Sequence, residues 1–342
     1  MDVDLLVVGG GPVGLVTAIE GALAGLSVAV LERRGSPVDK ACGEGLMPAA
    51  RATLRRLGVE ADGWEFAGIR YCAPGHQAVA RFRRGSGLGV RRTALSAALA
   101  TRADVLGVKR LDATAGRPII TPDGVDVAGV SATWLVAADG LHSPLRRALG
   151  LQRPPSPRVP ARYGLRRHYR VAPWSDLVEV HWSRQAEAYV TPVAADVVGV
   201  ALLGPAGSGR LEDRLGQFPD LAARLVGAEP ATDVRGAGPL RQRAAARVAG
   251  RAFLVGDAAG YVDALTGEGL SVGFACAREL VRCVVQDRPA DYERAWRRTT
   301  RRYRALTGAL LWTAQRPRLR GTIVPAAQRL PGVFERIVDQ LG

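Results

Sequence analysis

Residues 4–14 read DLLVVGGGPVG, and the fold follows from this stretch. Asp4 to Val8 is a short, almost wholly apolar run, as expected of a parallel strand covered on both faces. It passes directly into Gly9, Gly11 and Gly14 at the spacing G-x-G-x-x-G. The first glycine permits the tight turn, the second lets a pyrophosphate approach the backbone, and the third lets the next helix lie close to the strand. That helix is predicted from Pro12 to about Ala24, and a second apolar strand from Ser27 to Leu31 ends in Glu32. Glu32 stands 18 positions after Gly14, where a carboxylate can accept hydrogen bonds from both hydroxyls of a ribose. The arrangement suits an adenine dinucleotide, of either the nicotinamide or the flavin kind.

Two further apolar runs end in an acid. Trp134 to Ala138 leads into Asp139-Gly140, and Ala252 to Val255 leads into Gly256-Asp257. Each places a carboxylate at the mouth of a strand, where α/β sheets bind ligands. Taken in order, these elements resemble the group A flavoprotein monooxygenase superfamily, the para-hydroxybenzoate hydroxylase-like fold. Within it, the chain resembles most the geranylgeranyl reductase-like branch of FAD-dependent oxidoreductases.

The resemblance spans nearly the whole chain and selects FAD. It implies that Gly9, Gly11, Gly14 and Glu32, with Arg33 beside it, hold the ADP half. Arg92, in RRTALSAAL, would contact the flavin nucleotide, Asp139 and Gly140 would lie near the pyrophosphate, and Gly256 and Asp257 would hold the ribityl chain. Thr266 to Ser271 (TGEGLS) would open a helix on the pyrimidine edge of the flavin, so Gly267, Gly269 and Leu270 join the cofactor set. Backbone N–H groups at such an N-terminus suit negative charge on the reduced ring. Many relatives carry proline where this chain has Ala264.

Asp39 to Pro48 (DKACGEGLMP) resembles the C-G-x-G-L-x-P element of the reductase-like branch, which lies near the isoalloxazine ring. Cys42 and Gly43 therefore count as cofactor contacts. Cys42, Glu44 and Glu268 are candidate catalytic groups, with plainer readings beside each. Cys42 also reads as a small residue packed under the ring, and both glutamates read as helix caps beside glycines.

The implied fold class is α/β with an α+β substrate layer. A Rossmann-like FAD-binding domain (1–75, 93–153 and 242–288) is interleaved with a substrate-layer excursion at 76–92, an antiparallel-sheet substrate domain at 154–241 and C-terminal helices at 289–342. Strands are expected at Val178–Trp182, Ala188–Val193 and Val197–Leu203. His181, Trp182, Tyr189 and Pro192 are the candidate substrate-pocket residues, with Trp174 a further aromatic in the same stretch; all have a packing alternative. The run GPAGSG at 204–209 lacks the Lys-Ser/Thr of a phosphate loop and reads as a surface turn.

Composition narrows the class. The formal charge is +15, yet only Lys40 and Lys109 are lysines, and the arginines are spread widely with no nucleic-acid-binding motif among them. Solvated surface is the preferred reading, and no nucleic-acid partner is expected. The four cysteines have no C-x-x-C spacing, so neither a disulfide framework nor a metal site is expected, and a cytoplasmic setting suits them. No basic leader precedes the first strand and no apolar run reaches the roughly 18 residues of a membrane span. From Asp291 the chain reads helical, with Arg294, Arg297, Arg298, Arg301 and Arg302 mostly on one face. Such a face could rest on a membrane; a helix covering the substrate domain with its arginines in water is preferred.

The favoured activity is monooxygenation of an aromatic, polyketide or prenylated small molecule, in which NAD(P)H reduces FAD and oxygen adds at flavin C4a. The alternative is reduction of prenyl or quinone double bonds. A halogenase is disfavoured because W-x-W-x-I-P is absent, and a non-enzymatic flavin sensor because it needs no substrate layer. No second dinucleotide fingerprint is present, so the donor either binds transiently or acts through a separate flavin reductase. The expected partner is an aromatic or lipid-like small molecule.

Overall fold

A computed structural model of the chain describes residues 2–35, 37–154, 159–207 and 210–340. Five parallel strands form the heart of the first sheet, in the order Ala252–Leu254, Val130–Ala137, Asp2–Val8, Val28–Leu31 and Lys109–Leu111. Leu5, Leu6 and Val7 of the central strand are fully buried, as expected of a strand covered by helices on both sides. The helices Pro12–Leu23 and Gly269–Val285 pack on one another over this sheet. Proline at the first helical position gives up no hydrogen bond there, which explains the sharp start of Pro12–Leu23.

The second sheet runs Glu229–Pro230, Arg162–Arg170, Val197–Pro205, Glu187–Ala194, Val178–Trp182, Gly68–Ala73 and His76–Arg81, with Arg235–Ala237 also beside Arg162–Arg170. Neighbours are antiparallel except for Gly68–Ala73 against Val178–Trp182, which are parallel. This pairing corrects the expected start of the excursion. Residues 68–73 belong to the substrate sheet, so the chain leaves the cofactor domain before residue 76. The expected surface turn at 204–209 is partly covered by the strand that ends at Pro205, and residues 208 and 209 lie outside the described residues.

The C-terminal helix Asp291–Ala314 buries Tyr292, Trp296 and Tyr303 and exposes Arg294, Arg297, Arg298, Arg301 and Arg302, as the pattern predicts. It packs along Gly269–Val285 of the cofactor domain, and only its last turns, at Leu311 and Ala314, join the core of the substrate layer. Among the described residues no helix is long and apolar enough to cross a membrane.

A buried ion cluster fastens the layers. Arg162, on the substrate sheet, pairs with Glu187 at 2.5 Å and with Asp263 at 2.9 Å, the latter in the turn that follows the Gly256-Asp257 motif. Arg320, from the C-terminal segment, pairs with Glu187 at 2.7 Å. All four side chains are at most 7% exposed.

Candidate active site

A groove opens at the carboxyl ends of the strands Asp2–Val8, Val130–Ala137 and Ala252–Leu254. Its floor is the glycine turn. Gly9 has φ of 113°, and a Cβ there would lie 2.4 Å from the carbonyl oxygen of Ala138. A Cβ on Gly14 would lie 1.9 Å from the Gly9 carbonyl, so the third glycine serves helix packing and does not itself line the groove.

Glu32 stands at the groove edge. Its Oε2 accepts the Gly10 N–H at 2.9 Å, and its Oε1 accepts the backbone N–H and Nε of Arg34 at 3.0 and 3.1 Å. Burial works to raise its pKa, but these donors and the Arg34 charge outweigh it and hold the carboxylate below its ordinary value. Arg33, the expected neighbour, is exposed and does not line the groove; Arg34 takes that place. The reason is direction: Arg34 folds back onto Glu32 across two residues, leaving Arg33 pointing to water.

Arg92 lines the groove from the start of the helix Arg92–Val105, and its Nε is enclosed without a partner. Asp139 caps the following helix, its Oδ2 accepting the Leu145 N–H at 3.0 Å, while Oδ1 is enclosed and unpartnered. Burial pushes the Asp139 pKa up. Asp257 and Gly256 complete the wall on the far strand, and Gly140, Gly267, Gly269 and Leu270 line the groove as well. A turn in which Gly9 and Gly14 exclude a Cβ, together with two orphaned polar atoms of complementary charge, fits the ADP, pyrophosphate and ribityl parts of FAD.

One supporting residue escaped the sequence reading. Arg146 is fully buried and donates to the carbonyls of Leu141, Asp257 and Ala258 at 2.9–3.3 Å, and to Gln242 at 3.0 Å. It staples the Asp139-Gly140 turn to the Gly256-Asp257 turn. In a chain with so many arginines nothing in the sequence distinguishes it.

The groove continues along residues 40–47. Lys40, Cys42, Gly43, Glu44 and Gly45 all line it, and the Gly43 carbonyl accepts the Thr191 hydroxyl at 2.8 Å, tying the loop to the second sheet. Glu44 is 3% exposed with φ of 60°. Its Oε1 accepts the Arg92 N–H at 2.8 Å, and its Oε2 lies 2.5 Å from Nε2 of His168, a buried residue on the second sheet. His168 Nδ1 in turn lies 2.9 Å from the hydroxyl of half-exposed Thr232. A chain of polar groups thus runs from the cavity to the edge of the sheet. Glu268, by contrast, does not line the cavity. It is 7% exposed at the cap of Gly269–Val285, facing the helix Asp291–Ala314, and burial pushes its pKa to about 7. The structure therefore gathers Cys42 and Glu44 at the site and leaves Glu268 outside it.

Beyond the loop the wall is aliphatic and aromatic: Ile69, Tyr71, Val178, Val180, Leu203 and Leu265. Ala264 also lines it. Tyr189 belongs to this wall, its hydroxyl donating to the Leu265 carbonyl at 2.8 Å. The other expected pocket residues do not line it. His181 falls on the opposite face of its strand from Val178 and Val180, beside Glu179 at 3.0 Å and near Cys72. Trp182 packs on Tyr71 at 5.5 Å between ring centroids and lines a separate cavity with His181. Pro192 is buried at a sheet irregularity, its carbonyl against Gly89, and Thr191 lines the groove in its stead. Trp174 donates to Glu179 at 3.1 Å, away from the groove.

Comparison with known proteins places the chain among FAD-binding proteins. The profile of the FAD binding domain family matches residues 2–68 and 90–285. A menaquinone reductase of Mycolicibacterium smegmatis is 28% identical over 336 residues, covering 86% of this chain and 79% of the relative. Digeranylgeranylglycerophospholipid reductase 1 of Methanopyrus kandleri is 31% identical, covering 81% and 79%. A dialkyldecalin synthase of Streptomyces rugosporus is 30% identical, covering 82% of this chain but only 64% of the synthase. Among solved structures, a triple mutant of the flavin-dependent brominase Bmp2 superposes with a TM-score of 0.83 over 98% of this chain and 94% of the brominase, at 17% identity. At that identity the likeness speaks for the fold alone.

Proposed function

The chain belongs to the FAD binding domain family, and from that premise we propose that it is an FAD-dependent reductase of a carbon–carbon double bond in a prenyl-like or quinone-borne chain. The observation that carries this reading is the aliphatic wall of Ile69, Val178, Val180, Leu203 and Leu265, which continues without a break from the Cys42–Gly45 loop. Such a wall offers dispersion and water exclusion to an apolar chain and few groups to orient a polar one. The names of two relatives, giving a menaquinone and a digeranylgeranyl lipid as substrates, support it.

Bound FAD, once reduced, supplies the two electrons. The chain's own residues do the rest. Glu32, Arg92, Asp139 and Asp257 hold the nucleotide, and Gly43 and Gly45 let the loop approach closely. The wall positions the double bond and keeps water out. Glu44, bonded to His168, begins at the cavity edge a polar chain that ends at Thr232 and offers a path for a proton. Electrons come from a nicotinamide donor, NADH or NADPH, directly or through a separate flavin reductase.

Monooxygenation is the second reading, and the same enclosure favours it, because oxygen transfer also requires a dry pocket. The deciding experiment reduces the FAD-loaded protein anaerobically with dithionite and adds a menaquinone or a geranylgeranyl lipid. Flavin reoxidation with formation of the dihydro product is expected. No anaerobic turnover, with ¹⁸O from labelled oxygen appearing in the product under air, refutes the reductase and establishes the oxygenase.

A further inference from the structure

Behind the Asp257 turn lies a second concavity of about 430 Å³, which shares Gly256, Asp257, Tyr261 and Gly269 with the flavin groove. Its chemistry is the reverse of the substrate wall. Arg153, Arg241, Arg243, Arg247, Arg297 and Arg304 line it, and Asp257 is the one carboxylate among its lining residues. Arg247 and Arg297 share Glu293, at 3.1 and 3.0 Å. Among the described residues, Arg153, Arg241, Arg243 and Arg304 have no carboxylate within ion-pair distance. Four arginines without an ion-pair partner thus border one hollow whose lining holds Asp257 as its single carboxylate, although the chain pairs many of its other arginines.

The interior of the hollow is built as well as charged. Arg247 is 9% exposed, donates Nε to the Ala259 carbonyl at 3.1 Å and lies over Trp296 with Cζ 3.6 Å from its centroid. Arg304 approaches the same ring at 5.2 Å. Thr300 lines the cavity at 3% exposure, and its hydroxyl has no hydrogen-bond partner. Buried hydroxyls in folded proteins nearly all find a partner, so an orphan that lines a cavity marks a place for a ligand atom.

We propose that this hollow is a binding site for a phosphate-bearing anion. Arg241, Arg243 and Arg304 supply the charge, and Thr300 donates a neutral hydrogen bond from the floor. Guanidinium forks match phosphate oxygens in pairs, and several of them at a concave surface focus their field on one point. The cavity is large enough for a diphosphate and part of the molecule that carries it. Its shared wall with the flavin groove places that molecule beside the flavin site. Two sources offer the chemistry: the phosphates of a nicotinamide donor, for which the chain has no second dinucleotide fingerprint, and the diphosphate head of a prenyl substrate. The assignment of either source rests on the proposed activity; the anion site itself does not.

The test uses protein saturated with FAD, so that the groove's own pyrophosphate site is filled, and inorganic pyrophosphate as the probe in calorimetry. Saturable binding is expected, weakening with added salt. The triple variant R241Q/R243Q/R304Q should bind at least about tenfold more weakly, and Thr300→Val about threefold more weakly, with FAD occupancy and melting temperature unchanged. Three of these residues are exposed and the fourth change keeps the side-chain shape, so folding is not at stake. No saturable binding, or equal affinity in the variants, overturns the site. NADH, NADPH and geranylgeranyl diphosphate are then tried as competitors. Displacement by either nicotinamide nucleotide assigns the donor's phosphates, and displacement by the prenyl diphosphate alone assigns the substrate head. Displacement by neither overturns a role in the reaction. These competitions need no turnover, so failure of the proposed activity leaves their outcome readable.

Discussion

Glu268→Gln should remove a pH dependence of stability that the wild-type protein carries between about pH 4.5 and pH 7. Glu268 is 7% exposed, and its Oε2 is enclosed without a partner. Burial pushes its pKa from 4.5 to about 7, against the opposing pull of the Thr266 hydroxyl and the Arg302 charge. The folded form therefore holds the proton more tightly than the unfolded chain. The stabilisation from protonated Glu268 is complete below pH 4.5 and is lost as pH rises to about 7. At about 1.4 kcal/mol for each tenfold difference in proton affinity, the loss is about 3 kcal/mol, or about 2 when discounted for solvent screening. Glutamine fills the same space and has no charge to bury. Urea unfolding of FAD-saturated protein at pH 5, 6, 7 and 8 reads the difference. Wild type and variant should differ by under about 1 kcal/mol at pH 5, and the variant should be the more stable by about 2–3 kcal/mol at pH 8. A difference that does not vary with pH, or a wild type more stable at pH 8, would refute the placement of this carboxyl.

Two other substitutions probe the frame and the loop. Arg162→Ala leaves Asp263 and one oxygen of Glu187 as buried carboxylates without this partner, and should cost about 3–5 kcal/mol in denaturant unfolding, whereas a loss under about 1 kcal/mol would mean the cluster is solvated. Cys42→Ser should keep bound FAD and most of its turnover; a drop of about a hundredfold with flavin still bound would instead assign the thiol to proton transfer.

What the sequence discloses is what is local. The turn at Gly9–Gly14, its flanking strand and helix, and Glu32 lie within about thirty residues, and each carries a steric reason for its residue type. The misplacements lie where the determining contact is distant. The parallel pairing of Gly68–Ala73 with Val178–Trp182 joins strands more than a hundred residues apart, and no periodicity announces it. His168, which engages Glu44 at 2.5 Å, comes from a strand 124 residues later. Glu268 sits among glycines like any cap, and only the packed helix Asp291–Ala314 shows which way it faces. One error was avoidable. Val178, Val180 and Trp182 alternate with Glu179 and His181, and this period of two already separates His181 from the apolar face.

The buried ion cluster explains how two sheets built from interleaved segments can present one continuous cavity. The flavin side of the groove depends on the turn around Asp257, and the substrate side on Val178, Val180, Tyr189 and Leu203. Apolar packing alone tolerates sliding of one layer on another, since any aliphatic surface suits any other. Arg162 does not, because it must meet Asp263 of the flavin turn and Glu187 of the sheet at once. Arg320 adds the C-terminal segment to the same carboxylate of Glu187. Tyr189 repeats the device with a single hydrogen bond to the Leu265 carbonyl in the same turn. Desolvating these groups is unfavourable unless all partners align, so the arrangement that satisfies them is also the one that sets the aliphatic wall against the flavin loop.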